Sequence, residues 1–359
     1  MKRPILYIEI TNHGFGHATR SAAVADTIQK LCPDILLIIV STAPRWLLES
    51  YIEGDFIHRP RGFDVGVVQK DSLAMDKATT LEKLLEIKKN QNSIIASEVN
   101  FIRQNRVQLI LADIPFLATK FAKAAGVPCW MMSNFGFDFI YRSWGEIFSE
   151  VADWISDCYG QCDRLFRLPF YEPMEAFSNI TDVGLTGGSP HYSDEQIRAI
   201  WGITAPKEKT ILLTFGGLGL QQIPYKHLQK FPDWQFITFD QSAPDLPNII
   251  KINDHKYRPV DFMPICGRVV SKPGFSTFAE ATRLGVPIVS ITRDDFAEAA
   301  FLLAGISQYN QHQILTPSEF FDGNWDFLLQ PLQQPLSSEP IAKDGNEAIA
   351  HEVLSFVGG

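Results

Sequence analysis

Two histidines in a glycine-rich stretch are the first residues whose chemistry stands out. The stretch N-H-G-F-G-H-A-T-R places His13 and His17 beside Gly14 and Gly16. Imidazole exchanges protons near neutral pH and is a common general base. The stretch follows an apolar run and precedes an alanine-rich helical pattern, so unpaired backbone N–H groups at the helix start would lie beside it. We predict a ligand site at this turn, although a lone histidine is more often structural.

A second group of turns, in the latter half of the chain, could bind an anion. One turn, F-G-G-L-G, closes a strand-like run, and another, K-P-G-F-S-T, connects such a run to a helical pattern. Glycine lets a phosphate approach backbone N–H groups, while lysine and hydroxyl side chains add charge and hydrogen bonds. The candidate residues are Gly216, Gly217, Gly219, Lys272, Gly274, Ser276 and Thr277. Both turns could instead be tight connections with no ligand.

Alternating strand-like and helix-like segments must position these turns. Apolar runs predict strands at residues 5–10, 35–41, 109–112, 128–133, 210–215, 235–239, 249–252, 268–271 and 287–291, and helical patterns lie at 21–32, 79–105, 116–125, 277–284 and 346–356. This alternation predicts an α/β fold with mostly parallel sheets and helices on both faces. A stretch rich in Pro, Gly and aromatic residues at 168–192 predicts the linker. The predicted domains are residues 1–175 and 176–342, with a C-terminal helix at 343–359 that packs back on the first domain.

Composition and charge narrow the classes of protein. The 359 residues suffice for two domains, and 45% hydrophobic with 20% charged residues is typical of a globular protein. A net charge of -9 without a basic run argues against a nucleic-acid partner. Neither a signal peptide nor a run of ~20 apolar residues is visible. We therefore expect a cytoplasmic protein without a transmembrane segment, and peripheral contact with a membrane stays open.

The five cysteines are scattered and odd in number, which favours a reduced compartment over a disulfide framework. Cys158 and Cys162, beside Asp157 and Asp163, could form the corner of a metal site. No second Cys/His pair with zinc spacing accompanies them, so we expect helical packing and no metal.

Several ordered motifs resemble one family. They are N-H-G-F-G-H-A-T-R at 12–20, D-V-G-V-V-Q-K-D at 64–71, N-F-G-F-D-F-I-Y at 134–141, R-L-P-F-Y-E-P-M at 167–174, K-P-G-F-S-T-F-A-E-A at 272–281 and R-D-D-F-A-E at 293–298. Over nearly its whole length the chain resembles the glycosyltransferase-like N-terminal module of plant L-arabinokinase. It is more distantly similar to the GT-B nucleotide-sugar transferases, including the N-acetylglucosaminyltransferase that makes the peptidoglycan lipid precursor. The resemblance implies a GT-B fold, in which two Rossmann-like domains face each other across a cleft. The kinase half would follow such a module, so we do not expect a kinase.

The resemblance places a nucleotide-sugar donor in the second domain. Glu280 matches a glutamate that binds the ribose hydroxyls, where a carboxylate makes charge-assisted hydrogen bonds. Asp295 and Glu298 match polar residues that bind the donor sugar. Their acidic pairing departs from the Asp-Gln or Gln-Asn pairs of several GT-B branches, so the sugar is not identified. Alternatively, Glu280 is a solvated helix residue and the other two carboxylates cap a helix.

The first domain would then hold the acceptor. We predict that His17 takes the proton of the acceptor hydroxyl as its oxygen attacks the anomeric carbon. His13, Gly14 and Gly16 share its turn. Polar loop residues are further candidates for acceptor recognition: Asp64, Gln69, Asp71, Asn134 and Asp138. The nearby Phe135, Phe137 and Phe139 are core residues or an aromatic wall against a sugar.

The predicted function is inverting transfer of a sugar from a nucleotide-diphosphate donor, UDP-linked, to an unidentified acceptor hydroxyl. Backbone N–H dipoles and fixed charge can stabilise the leaving diphosphate, so neither a metal ion nor a cofactor is expected, and the nucleotide sugar is a substrate. Two alternatives stay open. A nucleotide-sugar epimerase or hydrolase would form product without an acceptor, and a non-catalytic binding module would show no turnover.

Overall fold

The chain divides into two compact units. The computed structural model describes residues 3–69, 75–216 and 223–358. The first unit contains the described residues up to Gly187 and the C-terminal segment from Ala342, and the second runs from Gly188 to Ile341. The change from one unit to the other thus lies inside the stretch 168–192, where the linker is predicted.

The first unit is built on a parallel sheet that has seven strands within the described residues. They are β1 (Ile5–Ile10), β2 (Leu36–Val40), β3 (Ile57–Arg59), β4 (Leu109–Asp113), β5 (Cys129–Ser133), β6 (Arg164–Arg167) and β7 (Ile180–Asp182), in the order β3-β2-β1-β4-β5-β6-β7. The inner strands β1, β2, β4 and β5 are almost continuously buried, as expected for a parallel sheet covered on both faces. Because β7 pairs with β6, this unit extends beyond residue 175.

Helices accompany this sheet. They are α1 (Gly14–Leu31), α2 (Arg45–Glu49), α3 (Lys77–Gln104), α4 (Ala118–Ala125), α5 (Phe137–Arg142), α6 (Ser149–Tyr159) and the C-terminal α12 (Gly345–Gly358), which packs against α1. The prediction that the first helix starts at residue 21 is wrong, because α1 begins at Gly14 and includes His17. Burial of Ala18, Ala22 and their neighbours on the sheet outweighs the low helix propensity of the two glycines. The histidine turn is therefore the first part of a helix.

The second unit has a parallel sheet of six strands within the described residues. They are β8 (Thr210–Thr214), β9 (Gln235–Thr238), β10 (Ile249–Lys251), β11 (Arg268–Ser271), β12 (Ile288–Ile291) and β13 (His312–Leu315), in the order β10-β9-β8-β11-β12-β13. Its helices are α7 (Asp194–Trp201), α8 (Pro259–Phe262), α9 (Phe275–Leu284), α10 (Glu298–Tyr309) and α11 (Pro317–Phe321). Leu213, Phe236, Val270 and Trp325 belong to a buried cluster against this sheet.

Every strand predicted from the sequence is present, and its ends move by no more than one residue. The sequence did not predict β3, β6, β7 and β13, which are short and lie towards the sheet edges. Among the described residues, no helix is both long enough and apolar enough to cross a membrane.

Candidate functional site

The carboxyl ends of three neighbouring strands meet in the first unit. β1 lies beside β4, with Ile10 opposite Asp113, and β4 lies beside β5. The chain leaves β1 through Asn12 and His13 into α1, while β5 leads through Ser133 into Asn134. Ligands of open α/β sheets bind at this edge.

His17 is held by a carboxylate that ends β4. Its Nδ1 lies 2.8 Å from Asp113 Oδ1, and Asp113 is fully buried while His17 is 6% exposed. A proton on Nδ1 donates to this carboxylate and leaves the lone pair of the ring on Nε2. A histidine in this state can accept a proton from a substrate.

Arg20, one turn further along α1, binds the same carboxylate with two nitrogens. Its Nε lies 2.7 Å from Asp113 Oδ2 and its Nη2 2.6 Å from Oδ1, while Ser21 Oγ donates to Oδ2 at 3.0 Å. Burial alone would raise the pKa of Asp113. The charge of Arg20 and the hydrogen bonds from Arg20 and His17 nevertheless lower the pKa of Asp113 well below its ordinary value. Asp113 is therefore an anion at neutral pH.

A loop from the stretch between β3 and α3 fixes the start of α1. Asp64 Oδ1 accepts from the Asn12 N–H at 2.9 Å, and Asn12 Nδ2 donates to the Asp64 carbonyl at 3.0 Å. Gly66, with φ at +57°, lies so close to His13 that a Cβ built on it would be 2.6 Å from the His13 Cβ. Burial raises the pKa of Asp64 to about 6, against the opposing effect of the Asn12 hydrogen bond.

Aromatic rings surround the two histidines. The His13 and His17 ring centroids are 5.9 Å apart, His17 lies 5.6 Å from Phe135, and His13 lies 5.9 Å from Phe137. Phe135 and Phe137 are buried, so they form the packing behind the histidines, whereas Phe139 is half-buried.

The other predicted acceptor residues have separate positions. Asn134 is fully buried, and its Oδ1 accepts from Arg20 Nη1 at 2.8 Å, which connects it to His17 through Arg20. Asp138 lies in the first turn of α5, where burial raises its pKa to about 6. Gln69 donates to Met75 Sδ at 3.6 Å. Asp71 lies outside the described residues.

In the second unit the two predicted anion-binding turns follow the neighbouring strands β8 and β11, and the segment with Asp295 and Glu298 follows the next strand, β12. Thr214 of β8 lies opposite Ser271 of β11, which lies opposite Ser290 of β12. A Cβ built on Gly216 would lie 3.5 Å from Lys272 Cε, so the turns after β8 and β11 are neighbours. Gly217 and Gly219 lie outside the described residues.

The helix α9 starts directly after the second of these turns. Gly274 is its N-cap and has no side chain with which to bind the first N–H groups, while Ser276 is buried and Thr277 half-buried in its first turn. Such a helix start favours a negatively charged ligand.

The three predicted carboxylates of this unit differ in burial. Glu280 is 3% exposed, and its Oε1 accepts from the Gly188 N–H at 2.9 Å. It is therefore not a solvated helix residue. Glu298 is buried at the start of α10, and Asp295 in the preceding loop is exposed.

Asp113 and Arg20 are the residues that sequence reasoning missed. Asp113 directly follows the predicted strand at 109–112, and Arg20 closes the motif that contains His17. A polar residue at the carboxyl end of a predicted parallel strand was the available signal.

Within the described ranges, no group of three or more His, Cys, Asp or Glu side chains is arranged to hold a metal ion. Cys158 lies in α6 as expected, but Cys162 lies beyond its end and donates to the Arg164 carbonyl at 3.1 Å.

Comparison with known proteins gives one sequence relative and many similar structures. No profile of a known protein family matches the chain. The chain is 29% identical over 353 residues to L-arabinokinase of Arabidopsis thaliana, a match that covers 95% of this chain and 33% of that protein. The chain therefore spans about a third of the length of this relative. The resemblance to L-arabinokinase that the motifs predicted is confirmed.

The structural similarity covers the whole chain. The calicheamicin glycosyltransferase CalG4 superposes with a TM-score of 0.62 at 15% identity, covering 99% of both chains. UGT71G1 of Medicago truncatula, in complex with UDP-glucose, gives a TM-score of 0.59 at 14% identity with the same coverage. The resemblance to the peptidoglycan-precursor enzyme stays a prediction. With its two parallel α/β sheets and these structural neighbours, the protein has the GT-B glycosyltransferase fold.

Proposed function

We propose that this protein transfers a sugar from a UDP-linked donor to the hydroxyl of an acceptor, with inversion and with His17 as the base. The observation that carries the proposal is the 2.8 Å contact between His17 Nδ1 and the buried Asp113 carboxylate, at the helix start that follows β1. A buried carboxylate on Nδ1 orients the ring and stabilises the positive charge that it gains on accepting a proton.

The reaction would be a single displacement. Nε2 of His17 accepts the proton of the acceptor hydroxyl, its oxygen forms a bond to the anomeric carbon, and the bond from that carbon to the diphosphate oxygen breaks. Attack from the side opposite the leaving group inverts the anomeric configuration. The proton ends on the imidazole, and the electron pair leaves with the nucleotide diphosphate.

The second unit would bind the donor. Lys272 and Gly216 lie together at the carboxyl ends of β8 and β11, and the N-terminus of α9 follows. These groups suit a diphosphate, and the neighbour UGT71G1 was solved with UDP-glucose. We propose that Glu280 accepts hydrogen bonds from the ribose hydroxyls. We propose that Asp295 and Glu298 bind the donor sugar. Charged groups of the protein, and not a metal ion, would stabilise the leaving diphosphate.

Calorimetry with UDP tests the donor assignment. We expect the wild type to bind UDP at micromolar to millimolar concentration and the Glu280→Ala variant to bind it at least tenfold more weakly, since a hydrogen bond to a charged group contributes about 1.5–3 kcal/mol. A wild type that does not bind UDP at millimolar concentration contradicts the donor assignment.

Turnover tests the base. With a panel of UDP-sugars and acceptors in EDTA, we expect His17→Ala to lower kcat by about 10²–10⁴-fold and to leave UDP binding unchanged. His351→Ala on the exposed face of α12 is the matched control. Full turnover by His17→Ala excludes this residue as the base. Sugar released or epimerised without an acceptor would instead identify a hydrolase or epimerase.

A further inference from the structure

Arg20 contacts more of the residues around His17 than the reaction above requires. Its side chain is 1% exposed and binds Asp113 with two nitrogens. Its Nη1 donates to Asn134 Oδ1 at 2.8 Å and its Nη2 to Ser133 Oγ at 3.1 Å. A guanidinium held by this many partners keeps one position. Its charge is also constant, since arginine is always protonated in proteins.

The Arg20 side chain also reaches the ring of His17. Nη2 lies 2.9 Å from His17 Nδ1, while Asp113 Oδ1 lies 2.8 Å from the same nitrogen. Nδ1 cannot donate to the carboxylate and accept from Arg20 at once. Without a hydrogen, Nδ1 would place its lone pair against an anion. The tautomer with the hydrogen on Nδ1 is therefore favoured, and Arg20 acts on the ring through its charge.

That charge opposes the effect of the carboxylate. A single carboxylate beside an imidazole favours the protonated ring, and a cation at the same distance disfavours it. The titratable groups that the described residues place around His17 are Arg20 on α1, Asp113 on β4, Asp64 on the loop before α3, and His13 at the helix start. Arg20 is the permanent cation of this set.

We propose that Arg20 is a positioning residue that orients Asp113, which in turn fixes the Nδ1–H tautomer of His17, and that the charge of Arg20 keeps the ring uncharged, so that Nε2 can accept a proton. The catalytic role of Arg20 rests on the proposed transferase function. The effect of Arg20 on the His17 ring does not rest on that function, because the tautomer and the charge of the ring can be measured without a substrate.

Two substitutions separate the charge of Arg20 from its geometry. Arg20→Lys keeps a cation but loses the planar fork, and Arg20→Met removes both. Arg103→Lys, at the end of α3 where Arg103 donates to the Ala124 carbonyl, is the control. Nitrogen-15 NMR of the histidine rings, with the His17 signals assigned by His17→Gln, gives the tautomer and the pH of half-protonation. The pH dependence of kcat is measured on the same proteins.

We expect the wild-type His17 ring to carry its hydrogen on Nδ1. In Arg20→Met, half-protonation of the ring and the acid limb of the kcat profile should both move to higher pH by about 1 unit or more, because the opposing cation is gone. In Arg20→Lys, kcat should fall by up to about 10²-fold through misplacement of the ring. Its acid limb should stay within about 0.3 pH units of the wild type, because the lysine charge still opposes ring protonation. Arg103→Lys should match the wild type in all respects.

An unchanged half-protonation pH in Arg20→Met, or a wild-type hydrogen on Nε2, overturns the inference. If Arg20→Met does not fold, the single variant Asp113→Asn is compared with the double variant Arg20→Met/Asp113→Asn. These two proteins also differ in the charge at position 20, and neither has a carboxylate at position 113. Equal half-protonation in that pair also overturns it. A wild type without turnover on any nucleotide sugar contradicts the proposed function, whereas the ring measurements still decide the role of Arg20.

Discussion

The carboxyl ends of the two sheets carry different kinds of polar group. In the first unit they carry buried charged side chains that bind one another, with Asp113 accepting from both His17 and Arg20. In the second unit they carry glycine turns, with Gly216 in a left-handed conformation and Gly274 as the N-cap of α9. One site is built from side chains at fixed distances and the other mainly from backbone.

The difference matches two kinds of task. Moving a proton requires a group with a defined tautomer and orientation, which a buried network of charges can supply. Holding a diphosphate requires several N–H groups aimed at one point, which a glycine turn and a helix start supply without fixing flexible side chains. We therefore expect the first unit to be most sensitive to a change of charge and the second to a change of backbone shape.

Replacing Asp113 with asparagine should have the largest effect. The substitution keeps the shape of the side chain but leaves the buried cation of Arg20 without its carboxylate and His17 without its anion. We expect kcat to fall by about 10³–10⁴-fold and the free energy of unfolding to fall by about 3–5 kcal/mol. Turnover and urea denaturation measure these two quantities. UDP affinity should stay within threefold of the wild type.

Asp182→Asn is the matched control for this substitution. Asp182 also binds an arginine with two oxygens, Arg167, but its side chain is 59% exposed. Exposed ion pairs contribute about 0–1 kcal/mol, so activity and stability should hardly change. If Asp113→Asn keeps more than a third of the wild-type kcat, the charges of the first unit are not the source of its chemistry.

The strands that carry this network could be predicted from the sequence, but the order in which they lie side by side in the sheet could not. Continuous apolar runs such as I-L-Y-I-E-I report burial on both faces of a parallel sheet, and each such run is a strand. The order β2-β1-β4-β5 depends on how the helices pack, which no local pattern records. That order places Asp113 beside His17, so the carboxylate was missed although its strand was predicted.

Local glycine content was also misleading at the histidine turn. Gly14 and Gly16 predicted a loop, but buried alanines on α1 gain more from packing than the glycines lose in propensity. The tight approach of Gly66 to His13 is a contact between segments far apart in sequence. Sequence reasoning could name His17 as the candidate base but could not predict the residues that hold it.

Replacing Gly66 with alanine tests whether the activity of the first unit depends on backbone geometry as well as on charge. Alanine at φ +57° would be strained, and its Cβ would lie 2.6 Å from the His13 Cβ, so His13 or the loop must move. We expect a loss of about 2–3 kcal/mol in stability and a fall in kcat of roughly tenfold or more, because a shift of α1 displaces His17.

Gly126→Ala is the control for Gly66→Ala. Gly126 has φ at +79° and open space at its Cβ position, so it carries the backbone strain without the contact. It should lose about 1 kcal/mol in stability and keep its kcat. Equal kcat values in the two variants would show that the Gly66 contact does not position His17.

In the second unit, Gly216→Ala should weaken the binding of UDP. Gly216 has φ at +79°, and left-handed backbone costs a residue with a Cβ about 1–2 kcal/mol. A turn that relaxes to avoid this strain moves its N–H groups, and we expect the Kd for UDP to rise about tenfold. Gly202→Ala, at the end of α7 with φ +63° and open space, is the control and should bind UDP normally. Equal affinity in both variants would remove Gly216 from the donor site.

The smallest effect concerns the stability of the first unit and depends on pH. Glu9 on β1 is 1% exposed, and neither of its carboxyl oxygens has a hydrogen-bond partner among the described residues. Burial, together with the charges of Glu98 and Asp64, raises the pKa of Glu9 well above its ordinary value. The native protein thus keeps a proton that the unfolded chain loses above about pH 4.3, so the free energy of unfolding falls as the pH rises from there to the native pKa.

Replacing Glu9 with glutamine removes this dependence, because an amide does not ionise. A buried amide without partners has a cost of its own, so we expect Glu9→Gln to be about 1 kcal/mol less stable than the wild type near pH 4.5 and about 1 kcal/mol more stable near pH 8. Urea denaturation at both values measures the change of sign, and Glu82→Gln on the exposed face of α3 should show no difference at either. A constant difference across this range would mean that Glu9 is ionised in the native protein. The first unit would then hold a further buried anion beneath the histidine turn, and its contrast with the second unit would be sharper still.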